Sequence, residues 1–325
     1  MDSDSDATVG GGQAVVLGGA GFLGSHLVDR LMAAGVHCLV LDNECTGRFS
    51  NLARWQGRDD CRMVSWDVST PFPADAFGLD RVDYVFQFAS PASPPHYRRL
   101  ALETLAVNAQ GTWHALELAQ RFGARLILAS TSEVYGDPLV SPQPESYWGN
   151  VNSVGPRACY DESKRYAEAL TMEWHRRHDL DVRILRFFNC YGPRMQPDDG
   201  RVVSNFITQA LRGEPLTVYG SGLQTRSFCY VSDEVEAIWR AASYPSLAGQ
   251  VLNIGNPEEH TIREFAEIVS HVAGVPLNTV DAPLPPDDPT NRRPDIARAR
   301  TLLRWEPVVS LEEGLTRTME YFQEV

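Results

Sequence analysis

The sequence predicts an α/β protein in which a doubly wound parallel sheet carries a smaller C-terminal domain. Up to residue 189, short continuous apolar runs alternate with longer segments whose apolar residues recur at helical spacing. Strands that are buried on both faces give such continuous runs, and the helices that connect them cover both faces of a parallel sheet. After residue 189 the alternation loosens, and proline-rich segments separate shorter helical patterns, which indicates a second unit.

The elements of the first unit follow from this alternation in chain order. The predicted strands cover 14–19, 37–43, 63–68, 82–90, 124–131 and 181–189. The predicted helices cover 21–35, 102–123 and 160–178. Gly35 ends the first helix, because glycine readily takes the left-handed conformation that closes a helix.

The second unit holds shorter elements. Helical patterns cover 201–212, 261–272 and 310–322, and the run 251–256 predicts a strand that returns to the first sheet. We therefore expect a disordered tail, a first domain with returning segments near 226–254, and a second domain in two pieces. Their boundaries are 1–12 for the tail, 13–190 for the first domain, and 191–225 with 255–325 for the second.

The composition excludes several functional classes. The net charge of −13 argues against non-specific binding to nucleic acid or to anionic membranes, because both need a basic surface. No apolar run approaches the ~20 residues that a membrane span needs, and the acidic start lacks the features of a secretory signal. The six cysteines lack ligand spacing, so we expect reduced thiols in a cytoplasmic protein and no metal site.

A glycine motif marks the first junction between strand and helix. Gly18, Gly21 and Gly24 stand at GxxGxxG spacing, which provides a tight turn, close approach of the backbone to a diphosphate, and close packing of helix on strand. Asp42 ends the next strand, where a carboxylate accepts from a ribose 2′-hydroxyl and repels a 2′-phosphate. The pattern predicts a Rossmann site for NAD rather than NADP, although Arg48 would soften that repulsion.

Lys164 is the only lysine in the chain, and it lies four residues after Tyr160 on a predicted helix. The two side chains therefore share one face of that helix. Tyrosine, with a pKa of about 10, is a poor base at neutral pH, and a close cation lowers that value. A compact ammonium can serve the phenol and two ribose hydroxyls together, which the planar fork of arginine does not fit. We expect this pair to move a proton.

With Thr131 at the end of a strand, these residues resemble the extended short-chain dehydrogenase/reductase superfamily. The resemblance implies that Tyr160 moves a proton on a substrate hydroxyl while hydride passes to or from the nicotinamide. It also implies that Thr131 orients the reacting oxygen.

The segment STSEVYG (130–136) narrows the resemblance, because it places Ser132 and Glu133 directly after Thr131. This arrangement is similar to the UDP-glucuronate decarboxylases (UDP-xylose synthases). The same similarity extends from about residue 13 to the end of the chain. It is carried by ASPASPPHY (89–97), GPRACYDESKR (155–165), GPRMQPDDGRVVSNF (192–206), EPLTVYGSGLQTRSF (214–228), NIGNPEEHTI (253–262) and TNRRPDI (290–296).

The resemblance implies a complete reaction cycle. UDP-glucuronate is oxidised at C4, loses CO₂ as a β-keto acid, takes a proton at C5 and is reduced again at C4, which gives UDP-xylose and regenerates NAD. It also implies a cytoplasmic homodimer. The implied catalytic residues are Thr131, Ser132, Glu133, Tyr160, Lys164 and Arg292.

The resemblance also implies two sets of binding residues. Those for NAD are Gly18, Gly21, Phe22, Leu23, Gly24, Asp42, Asn43, Thr46, Gly47, Asp67, Val68 and Ala89, together with Tyr160 and Lys164. Those for the UDP-sugar are Asn189, Arg201, Val202, Asn205, Tyr219, Arg226 and Arg292.

Several alternatives stay open at this point. Glu133 would protonate C5 through water, crowd the substrate carboxylate, or only position its loop. Arg292 would bind the carboxylate or the diphosphate, or help to protonate the enolate. The first rival function is a UDP-uronic acid 4-epimerase, and the second is a non-catalytic NAD-binding regulatory protein. The dimer would pair the helices at 102–122 and 157–178, where four residues suit a bundle or the core equally: Leu105, Trp113, Leu116 and Trp174.

Overall fold

A seven-stranded parallel sheet forms the centre of the computed structural model, which describes residues 11–284 and 289–324. Residues 1–10 of the expected tail lie outside the described residues. The strands are β1 (Gln13–Leu17), β2 (His37–Asp42), β3 (Cys61–Ser65), β4 (Tyr84–Gln87), β5 (Arg125–Thr131), β6 (Val182–Phe187), β7 (Cys190–Tyr191), β8 (Leu216–Tyr219), β9 (Thr225–Ser227), β10 (Cys229–Tyr230), β11 (Gln250–Ile254), β12 (Glu259–Thr261) and β13 (Thr279–Ala282).

Helices connect these strands. They are α1 (Phe22–Ala33), α2 (Pro94–Arg99), α3 (Ala101–Ala106), α4 (Thr112–Phe122), α5 (Ala158–His178), α6 (Val202–Arg212), α7 (Val231–Ser243), α8 (Ile262–Ala273), α9 (Ala297–Leu303) and α10 (Leu311–Glu324). Short 3-10 helices cover Phe49–Trp55 and Ser132–Tyr135, and a π-helical turn covers Val107–Gly111. Within residues 11–284 and 289–324, no helix has both the length and the apolar character that a membrane crossing requires.

The strand order is β3-β2-β1-β4-β5-β6-β11, and every pair in this sheet is parallel. The order reverses beside β1, where doubly wound sheets bind their ligands at the carboxyl ends of the strands. Alternate residues of a strand enter different cores: Val16 packs with α1 and α7, whereas Val15 packs with α4 and α5. The predicted fold class is confirmed.

A third apolar core lies beyond the sheet, between α6, α8 and α10. Phe206 and Phe265 stack within it, with ring centres 5.7 Å apart. The C-terminal segment contributes to two cores. Ile296 and Leu303 at α9 pack into the core that α1 and α7 form with the sheet, whereas α10 packs against α6 and α8. The expected domain boundaries stay a prediction.

The predicted elements agree with the structure to within a few residues, and β11 returns to the sheet beside β6 as expected. One predicted helix differs, since 102–123 comprises α3, the π-helical turn and α4. The additional elements α2, α7 and α9 have no predicted counterpart. Of these, α7 covers the same face of the sheet as α1 and packs beside it.

Candidate active site

The glycine motif forms a tight loop between β1 and α1. Gly18 has a φ of +80°, and a Cβ atom there would lie 2.5 Å from the backbone of Ala89. A Cβ atom at Gly24 would lie 2.2 Å from the carbonyl oxygen of Gly18. Gly47 is similarly close to the loop, because its Cβ would lie 2.8 Å from the nitrogen of Gly21. Among the described residues, no side chain caps the N-terminus of α1, so its first N–H groups are available to an anion.

Asp42 ends β2 beside this loop, as the sequence predicts. Its Oδ2 accepts from the backbone N–H of Ala20 at 3.0 Å, and its Oδ1 accepts from that of Glu44 at 2.8 Å. Burial raises the pKa of this carboxyl, although the two N–H donors oppose the shift. These bonds hold the carboxylate at the edge of the glycine loop, where a ribose 2′-hydroxyl would meet it.

Tyr160 and Lys164 lie on one face of α5, and both are buried. The Tyr160 phenol makes a hydrogen bond with Thr131, which stands at the end of β5. The Lys164 Nζ donates to the carbonyl oxygen of Ala129 at 2.9 Å and lies 5.9 Å from the centre of the Tyr160 ring. The helix therefore brings the predicted pair to the carboxyl end of the sheet.

The expected lowering of the Tyr160 pKa does not occur in this structure. Burial raises the pKa of Tyr160, and the hydrogen bond from Thr131 only partly opposes it. Burial also lowers the pKa of Lys164 to about 7, against the attraction of Glu168. Since desolvation disfavours the charged form of both groups, proximity alone does not make this tyrosine a phenolate.

Glu133 lies between two arginines in the turn after β5. Its Oε2 accepts from Arg157 at 2.6 Å and from Arg292 at 3.1 Å. Arg292 is 2% exposed and also donates to the Ser132 hydroxyl at 3.0 Å and to the carbonyl of Gly136 at 3.1 Å. Burial would raise the pKa of Glu133, but the charges of Arg292 and Arg157 lower it to about 2. Glu133 is therefore an ionised carboxylate at neutral pH.

Adjoining cavities surround these groups. The central cavity, about 870 Å³ in volume, extends from Gly18 to Tyr160 and Glu133. The Asp42 cavity, about 160 Å³, meets it at Gly18. The arginine cavity, about 500 Å³, meets it at Glu133 and Arg201. A dinucleotide in the central and Asp42 cavities would approach a ligand in the arginine cavity beside α5, the helix that carries Tyr160 and Lys164.

These cavities collect the residues that the sequence predicts. The central cavity is lined by Gly18, Gly21, Phe22, Leu23, Gly24, Thr46, Thr131, Ser132, Glu133, Tyr160, Lys164, Asn189, Arg201 and Asn205. The Asp42 cavity is lined by Asp42, Asn43, Thr46, Asp67, Val68 and Ala89. The arginine cavity is lined by Asn189, Arg201, Val202, Asn205, Tyr219, Arg226 and Arg292. Gly47 packs against the glycine loop instead of lining a cavity.

Other residues of the site lack a predicted role. Tyr97 stacks on Tyr160 with ring centres 5.1 Å apart and planes 7° apart. Arg157 pairs with Glu133, and Asp161 is buried beside them. Asn108, in the π-helical turn, donates to Ser90 and Ser163 at 3.0 Å each. The sequence points to Tyr97 only through the segment ASPASPPHY, and to Arg157 and Asp161 only through GPRACYDESKR. No local sequence signal indicates the π-helical turn.

Comparison with known proteins decides the family. The model of the NAD dependent epimerase/dehydratase family matches residues 14–255, which is more than half of the chain.

The chain belongs to this family.

Within the family, the chain is similar to UDP-glucuronic acid decarboxylases. It is 51% identical over 308 residues to UDP-glucuronic acid decarboxylase 1 of Danio rerio, and the match covers 95% of this chain and 72% of that protein. The resemblance inferred from the sequence motifs is therefore confirmed.

Solved structures of the family share the fold. UDP-glucose 4-epimerase of Thermotoga maritima, solved with UDP-glucose, has a TM-score of 0.86 and 31% identity, and covers 96% of this chain and 99% of its own. UDP-glucuronic acid 4-epimerase of Bacillus cereus, solved with UDP-glucuronic acid and NAD, has a TM-score of 0.86 and 27% identity over the same shares. The sequence similarity to the decarboxylases is thus much higher than to these epimerases.

Proposed function

We propose that this protein is an NAD-dependent UDP-glucuronate decarboxylase that releases CO₂ and forms UDP-xylose. The observation that carries the proposal is the carboxylate of Glu133 between Arg157 and Arg292, next to Tyr160 and Thr131. Oxidation and return of hydride at C4 need only the tyrosine, lysine and threonine. The charged groups beside them suit a substrate that itself carries a carboxylate, and about half of the sequence is identical to named decarboxylases.

The residues of the glycine loop fit NAD. The close contacts at Gly18 and Gly24 leave room for backbone only, and the uncapped start of α1 provides N–H donors for a diphosphate. Asp42 would hold the adenosine ribose, and Lys164 the nicotinamide ribose. When bound, NAD would supply the acceptor for the hydride that leaves C4 of the substrate, and its reduced form would supply the donor that returns this hydride.

Tyr160 would act first, as the base that takes the proton of the substrate O4. Thr131 contacts the phenol and is placed to orient that oxygen. For this step the phenol must already have lost its own proton to solvent, and the Lys164 ammonium would stabilise the resulting phenolate, because its pKa of about 7 leaves it partly protonated at neutral pH. The product of this step is a 4-ketone whose C6 carboxylate is β to the carbonyl.

Loss of CO₂ follows from that geometry. The C5–C6 bond breaks, and its electron pair forms an enolate that ends on O4. Tyr160, now protonated, and Thr131 would donate hydrogen bonds to this oxygen, which stabilises the developing charge. C5 then takes a proton from solvent water, O4 takes its proton back from Tyr160, and the hydride returns to C4.

Glu133 and Arg292 would act on the carboxylate. Because its pKa is about 2, Glu133 is a carboxylate and not a proton donor, which favours the role of crowding the substrate carboxylate. Arg292 is the group that can hold the substrate carboxylate near it, since its guanidinium already faces Ser132 and Glu133. The substrate diphosphate would then lie towards Arg226.

The arginine cavity would bind the rest of the UDP-sugar. Arg201 is held by Asp199, with 2.8 Å between its Nη2 and the carboxylate Oδ2, so that it faces both the central and the arginine cavities. Asn189 is fixed by a bond from its Nδ2 to the Ser227 carbonyl at 2.8 Å. Val202, Asn205 and Tyr219 complete the wall on the side of the nucleotide.

We further propose a cytoplasmic homodimer. All six cysteines are free thiols, as in reducing compartments. Leu105 and Trp113 on α3 and α4 are 40% and 44% exposed, and Trp174 on α5 packs edge-on against Trp113 at 4.9 Å. These side chains support pairing of the same helices from two protomers. Leu116 is fully buried in the core instead.

Turnover of UDP-glucuronate in D₂O tests the function. Proton NMR would follow the sugar while trapped CO₂ is counted. We expect UDP-xylose with deuterium at C5 and one CO₂ for each molecule formed. A 4-epimer without CO₂ would assign the protein to the epimerases, and absence of turnover with added NAD would refute the proposal.

A further inference from the structure

Asp161 is a buried acid of the site for which the proposed reaction has no use. It follows Tyr160 in the first turn of α5, and it is 6% exposed. Its Oδ1 atom is buried and has no hydrogen-bond partner among the described residues. A buried carboxylate with an unpaired oxygen is costly, so the neutral acid is favoured at such a position.

Charged and titratable groups face Asp161 from several elements. Glu133 lies in the turn after β5, Tyr97 on α2 and Arg292 in the C-terminal segment, and those at the start of α5 are Arg157, Cys159, Tyr160 and Glu162. Burial, and then the negative charge of Glu133, raise the pKa of Asp161 to about 7, against the effect of the two arginines. Asp161 therefore changes charge near neutral pH.

The charge of this cluster depends on whether Asp161 carries a proton. Arg157 and Arg292 both donate to Glu133, so two positive charges face one negative charge when Asp161 is neutral. The carboxylate of a bound uronic acid would then balance the cluster. If Asp161 were ionised instead, the same carboxylate would leave an excess negative charge in a buried site, which is unfavourable.

We propose that Asp161 takes up a proton when the carboxylate of UDP-glucuronate binds beside Glu133, Arg157 and Arg292. This inference rests on the proposed function and adds a residue that selects for the uronic acid. Asp161 is not among the residues that line the central or the arginine cavity, so it is a positioning residue that acts through Arg157 and Glu133. The coupling is reciprocal, because a proton on Asp161 strengthens binding of the uronate.

The reaction itself consumes a proton, so binding must be separated from turnover. The test uses NAD-loaded protein with Tyr160→Phe, which holds UDP-glucuronate without oxidising it. Titration calorimetry at about pH 8.5, in two buffers of different ionisation enthalpy, counts the protons taken up by linkage. We expect about one more proton for UDP-glucuronate than for UDP-xylose, which lacks the carboxylate. Titration of Lys164 contributes equally to both ligands and cancels in this difference.

Two further variants assign the proton. Asp161→Asn, an isosteric mimic of the neutral acid, should remove the difference in proton uptake and give the affinities for UDP-glucuronate and UDP-xylose the same dependence on pH. In the parent, the affinity for UDP-glucuronate relative to UDP-xylose should fall by up to about tenfold for each pH unit above the pKa of Asp161. Glu162→Gln, on the adjacent and more exposed carboxyl, should behave as the parent.

Each outcome decides between the two proposals. Equal proton uptake for both ligands, or uptake that persists in the Asp161→Asn protein, would overturn the role of Asp161 and leave the proposed function standing. Failure of the Tyr160→Phe protein to bind UDP-glucuronate would overturn both. If Asp161→Asn did not fold, the comparison of the two ligands in protein that retains Asp161 would still decide.

Discussion

The cofactor side and the substrate side of the site are built by different forces. On the cofactor side, Gly18 and Gly24 set the shape through contacts that leave no room for a side chain. On the substrate side, Glu133, Arg157 and Arg292 set it through buried charges that hold one another. The first side depends on excluded volume, and the second depends on electrostatic balance. They should therefore fail in different ways when they are altered.

Removing one charge from the substrate side should have the largest effect. We expect Glu133→Gln to lower the decarboxylation rate by about 10–10³-fold, because the crowding that it removes is worth roughly 1–5 kcal/mol. NAD binding, followed by protein fluorescence, should stay within about twofold of the parent, because the cofactor side keeps its shape. Glu162→Gln is the control for losing a carboxylate from this region. A parallel loss of NAD affinity in Glu133→Gln would contradict the separation of the two sides.

Adding volume to the cofactor side comes next. Gly18→Ala should destabilise the protein by roughly 1–3 kcal/mol more than Gly35→Ala and should weaken NAD binding. Both glycines have positive φ, +80° and +73°, but only Gly18 has backbone within 4 Å of the added Cβ. Thermal unfolding with and without NAD measures the difference. Equal effects of the two substitutions would show that backbone strain at positive φ, and not the close contact with Ala89, causes the loss of stability.

Glu234 is a buried acid whose pKa shifts in the opposite direction to that of Glu133. It is fully buried on α7, and burial raises its pKa well above the usual range, although Cys190 and Arg201 oppose this. The pKa of Glu133 is lowered instead, because the positive charges of Arg292 and Arg157 stabilise its carboxylate. Because the folded protein then holds the Glu234 proton more tightly than the unfolded chain does, the proton contributes stability that is fully present below the unfolded pKa of about 4.3. This contribution falls by about 1.4 kcal/mol for each pH unit above that value.

Replacement of this acid tests that sign. Between about pH 6 and pH 8, Glu234→Gln should be more stable than the parent, and its advantage should grow with pH. Denaturant unfolding at several pH values gives the slope directly. An advantage that does not change with pH over this range would mean that Glu234 is ionised in the folded protein.

The smallest effect concerns Asp42, the buried carboxylate beside the glycine loop on the cofactor side. Asp42→Asn keeps an acceptor for a backbone N–H but loses the charge, so NAD binding should weaken by about 1 kcal/mol. The preference for NAD over NADP should fall, since the 2′-phosphate is no longer repelled. Binding of both dinucleotides measures this, with Asp60→Asn, a carboxylate outside the three cavities that pairs with Arg58, as the control. Unchanged selectivity would assign the discrimination to cavity shape.

The two sides also differ in how far the sequence predicts them. The glycine spacing and the Tyr160–Lys164 pair are local, since each depends on residues within one loop or one helix, and their geometry follows from the backbone. The apolar runs likewise predict the strands, because burial on both faces leaves a local pattern. The fold class and the shared helix face of Tyr160 and Lys164 therefore follow from local patterns in the sequence.

The charged cluster could not be derived in this way. Arg157 and Arg292 reach Glu133 from positions 24 and 159 residues away, and local patterns carry no information at that distance. The direction of a pKa shift depends on the sum of burial and these distant charges, which explains why the expected lowering at Tyr160 is wrong. The resemblance to a family predicted Arg292 but assigned no role to Tyr97, Arg157 or Asp161.

The return of β11 to the edge of the sheet has a consequence for synthesis of the protein. Strand β6 ends at Phe187, and its partner on that edge begins only at Gln250. At roughly 5–20 residues per second, a ribosome needs about 3–12 seconds to make the intervening chain. During that interval the nascent sheet presents an unpaired edge strand, which is a template for pairing with other chains. Translation speed between these two strands should therefore govern how much of the protein escapes aggregation.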